Sequence, residues 1–146
     1  MGPTKRGKGT KLMAIADGSS TPVALYTTSA SPGEATLVQK TLRHTLVRQK
    51  PERIIGDKAY DSDPLDQQLS QRGIKLIAPH RRGRVKPKTQ DGRELRRYVR
   101  RWKVERLFAW LQTFRRIRTR DDYHRRVFEA FVMLGCIVIF LRRLWN

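Results

Sequence analysis

Two short apolar runs near the start of the chain predict a pair of β-strands. They are KLMAIA, residues 11–16, and PVALYTTSA, residues 22–30. The DGSS between them is a strong signal for a hairpin turn, so we expect the two strands to be neighbours in a sheet. Residues 1–10 are rich in glycine and lysine, and we expect this basic N-terminus to be flexible.

The middle of the chain alternates between predicted helices and strands. In SPGEATLVQKTLRHTLVRQK, a leucine stripe predicts a helix that begins after Pro32. RIIGDKAY predicts a short strand that runs into Asp57, and IKLIAP predicts a strand that Pro79 ends. Between these strands, DSDPLDQQLSQRG predicts a helix, because its acidic start and glycine end suit the helix dipole and the C-cap.

Two further helices are predicted in the last third of the chain. One runs from about Arg93 to Thr119, and an apolar one runs from about Arg125 to Trp145. The segment before them, HRRGRVKPKTQDG at residues 80–92, has dense positive charge and no periodicity, which predicts a basic loop. The resulting order, β-β-α-β-α-β-α-α, is that of a mixed α/β protein.

The charge of the chain indicates what it binds. Its 146 residues suit one compact domain. They include 32 Lys and Arg against 13 Asp and Glu, which leaves a net charge of +19. Arginines recur from residue 43 to residue 143, so the charge is not confined to one tail. Polyanions concentrate around such a surface, and we expect a nucleic-acid partner.

Several other classes are excluded. The single cysteine, Cys136, cannot form an internal disulfide and indicates a cytoplasmic, nucleoid-associated protein. No apolar stretch follows the N-terminal charges, as a signal peptide would require. The most apolar segment, Ala130 to Leu141, has 12 residues and is too short to cross a bilayer, so no membrane partner is expected. With one cysteine and scattered histidines, no zinc site is expected.

Candidate chemistry lies on the predicted helix that starts near Arg93. The simplest interpretation of its polar face is a surface ion pair between Arg101 and Glu105, worth about 0.2–0.5 kcal/mol. The alternative is that Glu105 is a ligand for a metal cation. At 100° per residue, four polar side chains fall within about 60° of one another on this face: Tyr98, Arg101, Glu105 and Gln112.

Asp57 favours the metal alternative. It ends the predicted strand RIIGD, where α/β sheets place functional side chains. A carboxylate there can meet another from a later helix, and carboxylate oxygens suit Mg²⁺ or Mn²⁺. A two-ion site holds its metals about 3.5–4 Å apart for in-line attack at phosphorus. The simpler interpretation of Asp57 is a helix cap, although Asp61, Ser62 and Asp63 already supply one.

Two segments together resemble the DDE-type transposases of bacterial insertion sequences. They are IGDKAYDSDPLDQQL and LRRYVRRWKVERLFAWLQTFRRIRTR. Tyr98, Arg101 and Glu105 match the spacing of the family's Tyr-Arg-Glu signature, whereas Gln112 stands where lysine is common. GDKAYDS is similar to the segment that carries the second catalytic aspartate. The resemblance runs over nearly the whole chain and implies an α/β fold of RNase H-like type, a mixed sheet with flanking helices.

The resemblance also implies a function and its residues. Asp57 and Glu105 would be catalytic and would hold Mg²⁺ or Mn²⁺ for DNA strand cleavage and transfer in transposition. The implied partners are the insertion-sequence ends, the target DNA and a second copy in a homodimer. The side chains expected to contact DNA, from the resemblance and from the charge of the basic loop, are Lys58, Arg81, Arg82, Arg84, Tyr98, Arg101 and Gln112.

One departure from the family concerns its first catalytic aspartate, which sits on the first strand of the fold. The resemblance implies that the chain begins at the second strand, so residues 1–146 are expected to form a single RNase H-like domain lacking its first strand. We expect it to be inactive without an upstream transposase segment. Asp17 is the only acid before residue 34, and turn chemistry in ADGSS explains it.

A second hypothesis is a non-enzymatic basic nucleic-acid-binding protein. It explains the charge equally well. It does not explain why a strand-end aspartate is followed by a Tyr-Arg-Glu helix.

Overall fold

Strands and helices alternate through residues 9–145, the part of the chain that this computed structural model describes. The protein is a mixed α/β protein, as the sequence predicts. Two 3-10 segments, Lys58–Tyr60 and Arg96–Arg101, connect larger elements. The strands and helices, in chain order, are β1 Thr10–Ala16, β2 Pro22–Ser29, α1 Glu34–Thr41, β3 Arg53–Ile55, α2 Asp63–Ser70, β4 Lys75–Ile77, α3 Gly92–Leu95, α4 Trp102–Gln112, α5 Arg115–Arg118 and α6 Arg125–Leu144.

The predicted N-terminal hairpin is confirmed. β1 and β2 pair antiparallel, from Thr10 opposite Ser29 to Ala16 opposite Pro22. β1 therefore begins within the segment predicted to be flexible, and residues 1–8 of that segment lie outside the described residues.

The helix after Pro32 is shorter than predicted, because α1 ends at Thr41. Beyond it the chain follows the outer edge of β2. The Leu25 N–H donates to the His44 carbonyl at 3.2 Å, and the Leu46 N–H donates to the Val23 carbonyl at 2.8 Å. Leu46 packs against the hydrophobic core from this extended segment. Pairing with a distant strand thus outweighs the helical leucine pattern.

The remaining strands form a second, separate sheet. β3 and β4 pair parallel over three residues each, and α2 makes the crossover between them. Among residues 9–145, no strand pairing joins this sheet to the β1–β2 hairpin. The single mixed sheet expected from the sequence is therefore two sheets of two strands.

The helix predicted from Arg93 to Thr119 is divided into shorter segments. After α3 the backbone tightens into the 3-10 segment Arg96–Arg101 and then continues as α4. Phe114 has an extended backbone, which ends this run and starts α5. The turn allows Ile117 to reach the core beside Leu111, so core packing accounts for the break.

Two clusters of buried side chains hold the elements together. One joins α4, α5 and α6 to β2 and contains Leu25, Leu107, Leu111, Ile117, Phe128, Val132, Cys136 and Ile139. The other joins α1, α2 and β4 and contains Val38, Leu42, Leu65, Leu69, Ile74, Leu76 and Ala78. The last predicted helix is confirmed as α6, and no helix within the described residues is long and apolar enough to span a membrane.

Candidate active-site cleft

A cleft of about 1140 Å³ lies between the two sheets. The whole of β1 lines one side and the whole of β3 lines another, and α1 and α4 also contribute residues. Asp57 and Glu105 both line this cleft. The structure therefore brings the two predicted carboxylates to one concave surface although they are far apart in the chain.

Asp57 is positioned by the end of β3 and the turn that follows. The Gly56 N–H donates to the Ile77 carbonyl at 3.0 Å, which extends the pairing with β4 by one residue. Asp57 then caps the 3-10 segment, because its Oδ1 accepts a hydrogen bond of 2.8 Å from the Ala59 N–H. Asp57 thus caps this 3-10 segment and not α2, the helix that the capping interpretation concerned, which begins after Ser62. The side chain is exposed, and the cap does not use Oδ2.

Glu105 lies on the first turn of α4, next to Arg101. Arg101 Nη1 is 2.5 Å from Glu105 Oε1, so the predicted ion pair is formed. The Arg101 guanidinium also lies over the Tyr98 ring, 5.7 Å from the ring centroid. The Glu105 side chain remains 55% exposed. Arg101 therefore contacts both of the other signature residues, Tyr98 and Glu105.

Apart from Tyr98, the residues predicted to contact DNA lie either at the cleft or in the basic loop. Arg101 and Gln112 line the cleft, and Lys58 is exposed beside Asp57. Sequence reasoning missed Arg100 and Lys103, which also line the cleft. Their positions on either side of the signature arginine are the signal that would have identified them.

Three further carboxylates line the cleft: Asp17, Glu34 and Glu52. Asp17 Oδ1 accepts hydrogen bonds from the Ser19 and Thr21 N–H groups, both of 2.8 Å. This is the turn chemistry expected for it. Glu34, which the sequence did not single out, is 3.3 Å from Lys11 Nζ.

The Tyr60 hydroxyl at this end of the cleft has a raised pKa. Burial raises the pKa of its hydroxyl, and the charges of Asp57 and Glu34 raise it further, to about 12. Within residues 9–145, no group of three or more histidine, cysteine or acidic side chains is arranged to hold a metal.

The basic loop after β4 is fixed to the start of α2. Arg84 lies 2.9 Å from Asp61 and 2.6 Å from Asp63, and the Arg81 backbone N–H donates to Asp61 at 2.8 Å. Arg81 also donates from its guanidinium to the Lys58 and Ala59 carbonyls. Of the three loop arginines predicted to contact DNA, Arg81 and Arg84 thus make internal bonds, while Arg82 is exposed.

His80 completes this attachment. Its Nε2 accepts a hydrogen bond from the Thr89 N–H, so Nδ1 is the atom that donates to Asp61, at 2.9 Å. Burial tends to raise the pKa of Asp61, but hydrogen bonds from the Arg81 N–H and from His80 and the charge of Arg84 hold it below its usual range. The carboxylate is therefore stabilised in its charged form.

Comparison with known proteins gives a consistent result. The family model described as "Transposase DDE domain" matches residues 2–141. A protein of Burkholderia cepacia described as "Putative transposase for insertion sequence element IS402" is 34% identical over 155 residues. That alignment covers 99% of this chain and 67% of the relative. No solved structure matches.

Proposed function

The chain belongs to the DDE-type transposases of insertion sequences, and we propose that it forms part of a catalytic domain that cleaves and transfers DNA strands. Asp57 and Glu105 are the proposed metal-binding carboxylates. The observation that carries this proposal is their presence on one cleft, at a strand end and on the first turn of a helix.

The proposed chemistry needs Mg²⁺ or Mn²⁺, which would activate the attacking oxygen and stabilise the leaving oxygen at phosphorus. In this proposal the cap from Ala59 fixes the orientation of Asp57, and Arg101 fixes that of Glu105. Arg100 and Lys103 line the same cleft and are suited to hold the phosphates of the DNA.

Two carboxylates are too few for this chemistry, and the cleft suggests how a third is supplied. β1 pairs only with β2 and β3 pairs only with β4, so each presents an unpaired edge in the described structure. Both strands line the cleft along their whole length. Unpaired edges bind extended chain through backbone hydrogen bonds. We propose that an upstream transposase segment adds a strand here, which would give the five-stranded mixed sheet of an RNase H-like domain.

The experiment compares the chain alone with the chain joined to its upstream transposase segment. Cleavage of insertion-sequence ends is measured with Mg²⁺ or Mn²⁺. We expect activity only from the joined protein, and we expect Asp57→Asn and Glu105→Gln each to abolish it. Asp121→Asn, which changes an exposed acid remote from the cleft, is the matched control and should remain active.

Two results would contradict the proposal. Full activity of both carboxylate variants would remove Asp57 and Glu105 from the chemistry. Robust metal-dependent cleavage by the chain alone, abolished by Asp17→Asn, would make Asp17 the first ligand and would leave no need for an added strand.

The second candidate function is DNA binding without catalysis. It is favoured by the lack of a three-carboxylate group among the described residues and by the net charge of +19. This function requires that the joined protein bind DNA equally well with and without metal, and that Glu105→Gln leave the affinity for DNA unchanged.

A further inference from the structure

The segment that carries the signature residues is not anchored by apolar packing. Residues 79–106 contain α3, the 3-10 segment Arg96–Arg101 and the first turn of α4. No side chain of residues 79–106 belongs to either buried cluster or packs against one. α3 and the 3-10 segment contain no buried residue. Other contacts must therefore hold this segment against the sheet.

Glu94 of α3 makes such contacts. Its carboxylate lies 3.8 Å from Arg53 Nε, 3.9 Å from Lys75 Nζ and 3.7 Å from Arg97 Nη1. Arg53 and Lys75 are partners in register at the starts of β3 and β4, so this one carboxylate joins α3 to both strands of the second sheet. The Glu94 side chain is only 19% exposed, and charges that are partly buried are screened less by salt.

The contacts of Glu94 depend on its charge. Its Oε2 is buried and has no hydrogen-bond partner among the described residues, so the attraction to the cations is electrostatic and not that of a directional hydrogen bond. Removal of this negative charge would leave three positive charges around one site: Arg53, Lys75 and Arg97. Like charges repel, and a cation that loses its partner in a half-buried site is costly. The charge of Glu94 therefore decides whether α3 is attracted to the sheet or repelled from it.

The two proposed metal ligands lie on different parts of the molecule. Asp57 follows β3 in the second sheet. Glu105 is carried by α4, which packs on β1 and α6 through Leu107 and Leu111. The 3-10 segment between α3 and α4 lies against β3. Attachment of α3 to the start of β3 therefore fixes how the helix of Glu105 approaches the strand of Asp57.

We propose that Glu94 is a positioning residue, which attaches α3 to β3 and β4 and thereby sets the separation of Glu105 from Asp57. The inference rests on the proposed function, because it concerns the two proposed metal ligands. Groups that act together in catalysis must be held to within about 0.5 Å by the residues around them. Glu94 does not line the cleft, so it acts through Glu105 and not on the metal or the DNA.

The first test measures the attachment itself, on the full chain without metal. Hydrogen exchange of residues 93–101 is compared between the wild type and Glu94→Gln, which removes the charge and keeps the size. We expect exchange there to become at least about tenfold faster, while that of α6 stays unchanged. Glu52→Gln is the matched control, because it removes an exposed contact of 3.5 Å to the same Arg53 and should leave the exchange of residues 93–101 unchanged.

An exchange of charges identifies the partner on the sheet. Glu94→Lys should loosen residues 93–101 more than Glu94→Gln does, because it brings four cations together. Adding Lys75→Glu should restore most of the lost protection, because opposite charges then face each other again between α3 and β4. No recovery in the double variant would overturn the proposal. Equally faster exchange throughout the protein in Glu94→Gln would also overturn it, because Glu94 would then support only the global stability.

The second test follows cleavage by the protein joined to its upstream transposase segment as the Mn²⁺ concentration is raised. Residues that orient metal ligands typically change metal affinity by about 10–100-fold when they are replaced. We therefore expect Glu94→Gln to raise the Mn²⁺ concentration for half-maximal cleavage by about tenfold or more. A role in stability alone would lower the maximal rate, through a smaller folded fraction, and leave this concentration unchanged.

Asp57→Asn, measured beside Glu94→Gln, separates the two proposals. If Asp57→Asn is inactive and Glu94→Gln responds to Mn²⁺ as the wild type does, the positioning role is overturned and the proposed function stands. Full activity of Asp57→Asn would overturn the proposed function, and the positioning role with it.

Discussion

Asp57 owes its position to the absence of a side chain at residue 56. A Cβ on Gly56 would lie 2.8 Å from Cδ2 and 2.9 Å from Cγ of the Tyr60 ring. These distances are shorter than real Cβ contacts allow, so either the ring or the turn would have to move. The glycine before Asp57 is thus a packing requirement of the 3-10 segment that Asp57 caps.

We therefore expect Gly56→Ala to destabilise the protein by about 1–3 kcal/mol through overpacking. In the joined transposase it should also reduce cleavage, because the turn that carries Asp57 is displaced. Urea unfolding and a cleavage assay measure the two effects. Gly18→Ala adds a Cβ with nothing within 4 Å and is the control. Equal stability of the two variants would show that Tyr60 moves without cost.

Single residues were predicted from the sequence where the relevant partners are near in the chain. The Tyr98–Arg101–Glu105 contacts follow from spacings of three and four, and they persist although the first two residues lie in a 3-10 segment. Asp61 was interpreted as a helix cap. Its partners are His80, Arg81 and Arg84, about 20 residues away, and no local pattern indicates them.

At the scale of elements, the basic loop and α2 behave as one unit. Asp61 has a side chain only 7% exposed and accepts bonds from three residues of the loop. Asp63 adds a contact of 3.3 Å to Lys86. The loop is thus a folded segment with a fixed path, and its remaining exposed cations are held in place for a polyanion.

Asp61→Asn should loosen this loop. Hydrogen bonds to charged groups are each worth about 1.5–3 kcal/mol, so we expect a loss of stability of a few kcal/mol at most, together with faster trypsin cleavage after Arg81, Arg82 and Arg84. Limited proteolysis followed by mass spectrometry locates the cuts. The exposed Asp121 gives the control Asp121→Asn, which should be cut at the wild-type rate.

Acidification should have the same effect on the loop. The pKa of Asp61 is held low against the opposing effect of burial, and the hydrogen bond from Arg84 lowers the pKa of Asp63. Such groups stabilise the fold above their ordinary pKa of about 3.9 and lose that effect as the pH falls further. Burial raises the pKa of Asp66, which acts in the opposite direction. Because trypsin is inactive at such acidic pH, the loosening is measured by the hydrogen exchange of residues 80–90 between pH 5 and pH 3.

A loop that loosens only when the whole protein unfolds would contradict this picture. In that case the carboxylates would stabilise the molecule globally and would not control the loop.

The sequence predicted elements well where side-chain periodicity determines them. β1, β2, α2 and α6 lie close to their expected positions. α1 and the helix after Arg93 were predicted too long, because the hydrophobic pattern continues past their ends. What stops them is tertiary: the bonds of residues 44–46 to β2, and the packing of Phe114 and Ile117.

For the whole molecule, the net charge of +19 predicts how DNA binding depends on salt. We expect largely sequence-independent binding with a dissociation constant of about 10⁻⁴–10⁻⁶ M at physiological salt, and a linear fall of log K with log salt. Fluorescence anisotropy with a labelled duplex measures it. Arg82→Ala should reduce the slope of log K against log salt by about one unit, because one phosphate contact is lost. Gln71→Asn, an uncharged change at an exposed position, should leave the slope unchanged. A slope near zero would refute electrostatic binding.

The separation into two sheets could not be predicted from local patterns. Each strand is recognisable by itself, but pairing between β1 and β3 depends on what lies between them in space. The family resemblance supplied the expectation of a missing strand. That expectation stays a prediction, and no periodicity in the sequence indicates the size of the cleft that both strands line.

The two buried clusters have a consequence for the way the molecule opens. A cluster that includes the long helix α6 and another built on strands of three residues are expected to have different free energies of local opening. Amide hydrogens in α2 and β4 should then exchange with solvent together, and sooner than those in α4 and α6. A strand bound between β1 and β3 would connect the clusters, and the two exchange groups would become one cooperative unit.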